Sequence, residues 1–160
     1  MTDRAFTIEP VRTAAALAAV KQLFEAYAAS LDVDLSYQSF ATELATLPGK
    51  YAPPAGVLLL ARSADATPLG CVALRPIEVE RCCEMKRLFV VPQARGSGLG
   101  RALIGAICDG AKRIGYQEIR LDTLPSMSAA MSLYEASGFT LIAPYYDTPV
   151  AGTRFFAKSL

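Results

Sequence analysis

Apolar side chains change their spacing repeatedly along the chain, and each change predicts an element. Residues 5–11 alternate as a first strand. From Thr13 to about residue 30, Leu17, Val20, Phe24, Tyr27 and Leu31 recur every three or four positions, the spacing of one helix face. Residues 31–35 make a short acidic connection, and 37–47 read as a second helix stopped by Pro48-Gly49. The segment 48–56 holds Pro48, Pro53, Pro54, Gly49 and Gly56, which predicts a loop. Strands follow over 57–62, 69–78 and 81–91, with a turn at 63–68. Leu99, Leu103, Ile107 and Ile114, with Ala102, Ala106 and Ala111 between them, predict a helix over 99–114 ended by Gly115. A strand over 118–122, a helix over 126–137 capped by Ser126 and stopped by Gly138, and strands over 139–143 and 154–158 complete one domain of 160 residues. No internal repeat interrupts this order.

The junction between the strand at 81–91 and the helix at 99–114 carries unusual chemistry. It reads Val90-Val91-Pro92-Gln93-Ala94-Arg95-Gly96-Ser97-Gly98-Leu99-Gly100-Arg101. Glycines at alternate positions allow positive φ and remove the Cβ atoms that would hold a ligand off the backbone. The helix start adds unpaired N–H groups and a positive dipole end. Arg95 and Arg101 add charge, so the turn is a phosphate cradle by composition. A Walker loop is excluded because no Lys-Ser or Lys-Thr follows Gly100. A dinucleotide fingerprint is excluded because Arg101 stands where its third glycine belongs. A tight turn that merely needs glycine is the alternative reading of this segment.

The run Arg95-x-x-Gly98-x-Gly100 resembles the acetyl-CoA signature of the GNAT acyltransferase superfamily. Downstream, Ala130-Met131-Ser132-Leu133-Tyr134-Glu135-Ala136-Ser137-Gly138-Phe139 is similar to the second hallmark of that family, Ala-x-x-Leu-Tyr-x-x-x-Gly-Phe. The resemblance covers nearly the whole chain. It implies an α/β fold with a splayed mixed sheet flanked by helices, the strands at 81–91 and 117–122 parting to admit the pantetheine arm. It further implies an N-acetyltransferase that moves the acetyl group of acetyl-CoA to an amine by direct attack in a ternary complex. Acetyl-CoA would lie along Leu88, Phe89, Val90, Arg95, Gly96, Ser97, Gly98, Leu99, Gly100, Arg101, Ser128 and Tyr134. A bulged strand at Phe89 and Val90 would offer the Val90 N–H to the thioester carbonyl. Tyr134 would protonate the leaving thiolate, a phenol at about 10 staying protonated near a thiol at about 8.5; a core tyrosine is the other reading. Glu84 would be the base for the amine, or else a salt-bridge partner of Lys86 or Arg87. The chain departs from the family pattern at Met127, where an asparagine is usual, and Ser126 or Ser128 would replace that contact. An acyl-CoA-binding sensor without catalysis is the alternative function.

Composition narrows the chemistry. There is no histidine, which removes Ser-His-Asp, Cys-His and histidine-metal sites and leaves carboxylates, tyrosine, lysine, cysteine and water to move protons. Cys71, Cys82, Cys83 and Cys108 lack zinc-site spacing and read as reduced core thiols. A net charge of +1 without a basic stripe argues against nucleic acid, and the apolar runs are too short for a membrane span. With Asp3 and Arg4 ahead of the first apolar stretch, a cytoplasmic protein is expected. The loops at 31–37 and 144–152 hold Asp32, Asp34, Asp147, Tyr145 and Tyr146, which favours a small cationic amine as acceptor. The apolar terminus Phe155-Phe156-Ala157 suggests a homodimer through the last strand.

Overall fold

The computed structural model describes residues 5–160, so Asp3 and Arg4 lie outside the described residues. One seven-stranded sheet runs in the order β1-β2-β3-β4-β5-β7-β6. Strands β1 (Phe6–Pro10), β2 (Val57–Ser63), β3 (Pro68–Pro76) and β4 (Cys82–Val90) form an antiparallel meander. Strand β5 (Glu118–Thr123) joins β4 in parallel, and β7 (Arg154–Ser159) lies antiparallel between β5 and β6 (Thr140–Ile142). Four helices cover the faces: α1 (Ala14–Ala29), α2 (Phe40–Thr46), α3 (Leu99–Ile114) and α4 (Ser128–Ala136). Among the described residues, no helix is long and apolar enough to cross a membrane.

Alternation along the strands divides the interior in two. Leu59, Ala61, Val72, Leu74, Cys83 and Met85 pack toward Leu103, Ile104 and Ile107 of α3 and Tyr134 of α4. Leu58, Leu60, Cys71 and Ala73 pack toward Val20, Leu23 and Phe24 of α1. Both sheet faces are therefore covered, which is why β2 and β3 read as continuous apolar runs rather than alternating ones. All four cysteines are free and buried. Burial pushes the Cys83 thiol well above its usual range, so it stays a neutral apolar group.

Helix ends follow their local chemistry. Thr13 Oγ1 accepts from Ala16 N at 3.1 Å to cap α1, and Gly115 (φ 112°) and Gly138 (φ 94°) supply the left-handed stops. Two predicted boundaries fail. The helix expected over 37–47 is split into a 3₁₀ turn at Leu35–Gln38 and α2, because Ser39 turns left-handed (φ 57°). Asp34 accepts from Ser36 N at 2.8 Å and Leu35 is buried, so a capped, anchored turn outcompetes helix in a serine-rich stretch. Ser126 does not cap α4: the cap position is Met127, with no side-chain hydrogen bond, after a turn in which Met127 N donates to Leu124 O.

The last strand is also not the free surface the sequence suggested. Phe155, Phe156 and Ala157 are buried within the subunit's own core, because β7 is flanked on both sides. The exposed edge at this end of the sheet belongs to β6, whose Leu141 is 60% exposed.

Two irregularities shape the centre. Strands β4 and β5 pair only from Cys82–Glu84 to Glu118–Arg120, then part. On the other side of β4, Cys71 faces Phe89 but Ala73 faces Lys86, so Arg87 and Leu88 stand opposite the single residue Val72. This is a β-bulge with Arg87 at φ 60°. It lies two residues before the Phe89–Val90 position expected from the sequence.

Candidate active site

An open groove of about 640 Å³ runs between the start of α3 and the start of α4. Leu88, Phe89, Val90, Arg95, Gly96, Gly98, Leu99, Gly100, Arg101 and Ser128 line it, so ten of the expected donor-binding residues meet there. Ser97 is not in its wall; its hydroxyl donates to Ala94 O at 2.5 Å and fastens the turn. Gly96 and Gly98 adopt φ 81° and 85°, and nothing lies within 4 Å of where their Cβ would be, so the backbone there is bare to solvent. Gly100 brings α3 close to α4 instead: a Cβ there would stand 3.0 Å from Leu133 Cδ2, which would have to shift. Glycine thus serves twice, exposing amides at the turn and closing the two helices that form the groove.

Val90 has a distinct backbone geometry. Val91 N donates to Leu69 O at 2.9 Å, so Leu69 and Val91 are a hydrogen-bonded antiparallel pair. The neighbouring pair Gly70–Val90 is then the non-bonded kind, with its polar groups turned away from β3. On that outer side Val90 O accepts from Arg95 Nε at 3.1 Å, and β5 has already parted from β4. The Val90 N–H is left facing the groove. Leu88, Tyr27 and Met127 line both the groove and a small cavity between the parting strands, so the two are continuous.

That wedge cavity is walled also by Leu121, Asp122, Thr123, Lys86 and Tyr134. Tyr134 is 5% exposed, its ring held 6.0 Å from Phe139 and 6.2 Å from Phe156. Burial holds its phenol well above the usual range, with Tyr27 and Asp122 pushing the same way, so it remains protonated at neutral pH. Thr123 Oγ1 is buried without a partner in the same cavity. Sequence reading missed it, since an orphaned hydroxyl is defined only by what surrounds it.

The side of the sheet facing α1 and α2 is built differently. Arg75 Nε and Nη2 contact Glu84 Oε1 at 2.9 and 2.8 Å, and Tyr145 donates to Glu84 Oε2 at 2.6 Å. Lys86 Nζ reaches Asp122 Oδ1 at 3.2 Å, and Tyr146 donates to Asp122 Oδ2 at 2.6 Å. Arg87 binds Glu43 through Nε and Nη2 at 2.8 and 3.1 Å, and Tyr51 donates to Glu43 Oε1 at 3.0 Å. Each of these three cations thus has one carboxylate, and each carboxylate has one tyrosine. Gln38 Oε1 accepts from both Lys86 (3.2 Å) and Arg87 (2.8 Å). The bulge makes this possible by turning Arg87 to the same side as Lys86. Burial pushes the Asp122 carboxyl up, but the Lys86 ammonium and the two hydrogen bonds outweigh it and hold it below the usual carboxylate value. Burial pulls the Arg87 guanidinium down, and Glu43 more than reverses this.

Glu84 is therefore not placed as the sequence anticipated. Its partner is Arg75 across the strand pair, not Lys86 or Arg87, and it is 2% exposed. Both its oxygens are engaged, by Arg75 and Tyr145, and it does not line the wedge or the groove. Asp34 caps a turn, and Asp147 joins the wall of a cavity over Arg75 and Lys86. Among the described residues no cluster suits a metal ion.

Comparison with known proteins agrees with this geometry. Residues 17–139 match the model of the acetyltransferase (GNAT) family, and the chain belongs to that family. It is 42% identical over 130 residues to an uncharacterised N-acetyltransferase of Schizosaccharomyces pombe, covering 81% of this chain and 80% of that one. It is 35% identical over 117 residues to an aminoglycoside N(6')-acetyltransferase of Klebsiella aerogenes, covering 69% and 76%. A Klebsiella pneumoniae protein described as an acyl-CoA N-acyltransferase superposes with a TM-score of 0.76 at 27% identity over 99% of both chains. The chain is an acyltransferase of the GNAT type, and its donor is an acyl-CoA.

Proposed function

We propose that the chain transfers the acetyl group of acetyl-CoA to a primary amine within a ternary complex. The observation that carries this reading is the continuity of the glycine-lined groove with the wedge that holds Tyr134. Bare amides at Gly96 and Gly98, the N-terminus of α3 and the Arg95 and Arg101 guanidinium groups fit a pyrophosphate. The apolar run Leu88, Phe89 and Val90 fits the pantetheine arm.

Acetyl-CoA supplies an activated acyl group and a thiolate leaving group. The Val90 N–H is aimed to polarise the thioester carbonyl as an oxyanion donor. Tyr134 holds a proton beside the sulfur position. A thiolate released into the same narrow cavity is itself partly desolvated and has a raised proton affinity, which offsets the reluctance of the buried phenol to give its proton up. Thr123 supplies a hydroxyl near the position where the family usually places asparagine and this chain has Met127. Glu84 anchors Arg75, and the acceptor must arrive neutral or lose its proton to water at the open side.

Thiol release from acetyl-CoA, measured across a panel of primary amines, tests this directly. Turnover with at least one amine and none without an acceptor is expected. CoA binding with no turnover across the panel would favour a sensor.

A further inference from the structure

On the acceptor side, about 250 Å³ of space lies over Arg75, Lys86, Tyr37, Gln38 and Tyr146, with Asp147 and Pro149 at its edge. Lys86 lines both this space and the wedge, so its side chain is the wall between them. Its hydrogen-bonding inventory is lopsided. Both carboxylates behind it, Glu84 and Asp122, already accept from a cation and a tyrosine. The donors are not used up. Arg75 directs both its contacts to one oxygen of Glu84, which leaves Nη1 and one N–H of Nη2 unpaired, and its side chain is 30% exposed against 2% for Glu84. Lys86 Nζ uses two of its three N–H groups, on Gln38 and Asp122. Tyr37 accepts from Gln38 Nε2 at 2.9 Å and keeps its own proton free. Asp147 is exposed at the mouth, where water screens it.

We infer that the acceptor is an amine that also carries a carboxylate, bound through Arg75, rather than a di- or polyamine. This deepens the acetyl-transfer reading and rests on it. A polycation would meet unpaired cationic donors and carboxylates each already paired with a cation and a tyrosine; a carboxylate would take two N–H groups of Arg75 in the fork geometry that guanidinium favours. The spacing suits a compact molecule. Arg75 faces Glu84 across the ladder, and Lys86 is two residues further along the same face, so Arg75 and Lys86 are diagonal neighbours roughly 7–8 Å apart at their backbones. Both side chains therefore reach one compact ligand, its carboxylate meeting Arg75 while its amine lies toward Lys86. Lys86 at the amine end also disfavours a second positive charge, which helps keep the nucleophile neutral.

The test is thiol release from acetyl-CoA with the free amino acids, their methyl esters, a short aminoalkyl phosphate and a linear diamine, together with CoA calorimetry. At least one free amino acid should exceed its methyl ester by tenfold or more in kcat/KM, and should exceed the diamine likewise. In Arg75→Gln, checked for folding by its thermal midpoint and for an intact donor site by CoA affinity, the acid-to-ester ratio should fall to within about twofold. Arg75→Lys, which keeps a charge on Glu84, should retain part of the preference and guards against simple misfolding. Equal or better turnover of esters or diamine by the unaltered protein, or a preference only for the phosphate, overturns the inference while leaving acetyl transfer intact. A preference that survives both substitutions also overturns it. Absence of CoA binding overturns the acetyl-transfer reading itself.

Discussion

The donor groove and the acceptor face sit on opposite sides of the same parted strands, yet they are made of different material. The groove is backbone: bare amides at Gly96 and Gly98, the Val90 N–H, a helix N-terminus, and apolar side chains that set its width. The acceptor face is side chain: three cation–carboxylate–tyrosine units, those of Lys86 and Arg87 joined by Gln38. A backbone site recognises a constant ligand and tolerates drift in sequence as long as the glycines persist. A side-chain site can be rewritten one residue at a time. That division is the physical basis for one donor and many acceptors within a single fold.

Tyr134 stands where the two regions meet, and changing it should have the largest effect. Tyr134→Phe keeps the ring against Phe139 and Phe156 and removes only the acidic proton. We expect kcat to fall ~10²–10⁴-fold with little change in CoA affinity or thermal midpoint. A kcat within about threefold of the unaltered protein, with chemistry limiting, would make water the acid.

Removing one member of the acceptor-side layer should cost stability rather than donor binding. Glu43→Ala leaves the Arg87 guanidinium buried and unpaired between Tyr27 and Phe40, where it also sits at a strained φ of 60°. Loss of one partner of a buried pair typically costs about 3–5 kcal/mol. Chemical denaturation of the variant should show a loss of that size, and a loss under about 1 kcal/mol would mean water reaches Arg87.

Smaller, and arising in the same layer, is the response to alkali. Burial raises Tyr27 to about 12 and lifts Tyr51, Tyr145 and Tyr146 further, with the neighbouring carboxylates pushing the last three the same way. In the unfolded chain these phenols ionise near 10. Their contribution to stability is complete below that value. It is lost as pH rises through the folded values, because the unfolded state releases protons first. The thermal midpoint should hold to about pH 9 and decline above about pH 10. A flat profile to pH 11 would show that the hydroxyls are solvated.

The same division governs what the sequence discloses. The groove was legible because its parts are contiguous: glycine spacing between 96 and 100, and Leu133-Tyr134 four residues before Gly138. The strands and α3 were legible from periodicity. The charge layer was not. Glu84 pairs with Arg75 nine positions away and Tyr145 sixty-one away, and Gln38 reaches Lys86 over forty-eight, separations that no local pattern encodes. The bulge at Arg87–Leu88 and the left-handed Ser39 were hidden for the same reason. Both are held by contacts between α2, the 3₁₀ turn and β4 rather than by their own residues' preferences.

The turn at Gly96–Gly100 is expected to seat the CoA pyrophosphate on bare backbone. Calorimetric titration of CoA into the unaltered protein, Gly98→Val and Arg101→Ala tests it most directly. Nothing lies within 4 Å of a Cβ at position 98, so the valine would fill ligand space rather than strike the protein, although its positive φ adds local strain. One CoA per chain is expected, with no measurable binding in folded Gly98→Val and affinity weakened several-fold in Arg101→Ala at an unchanged thermal midpoint. Undiminished affinity in both folded variants would place the pyrophosphate elsewhere on the protein.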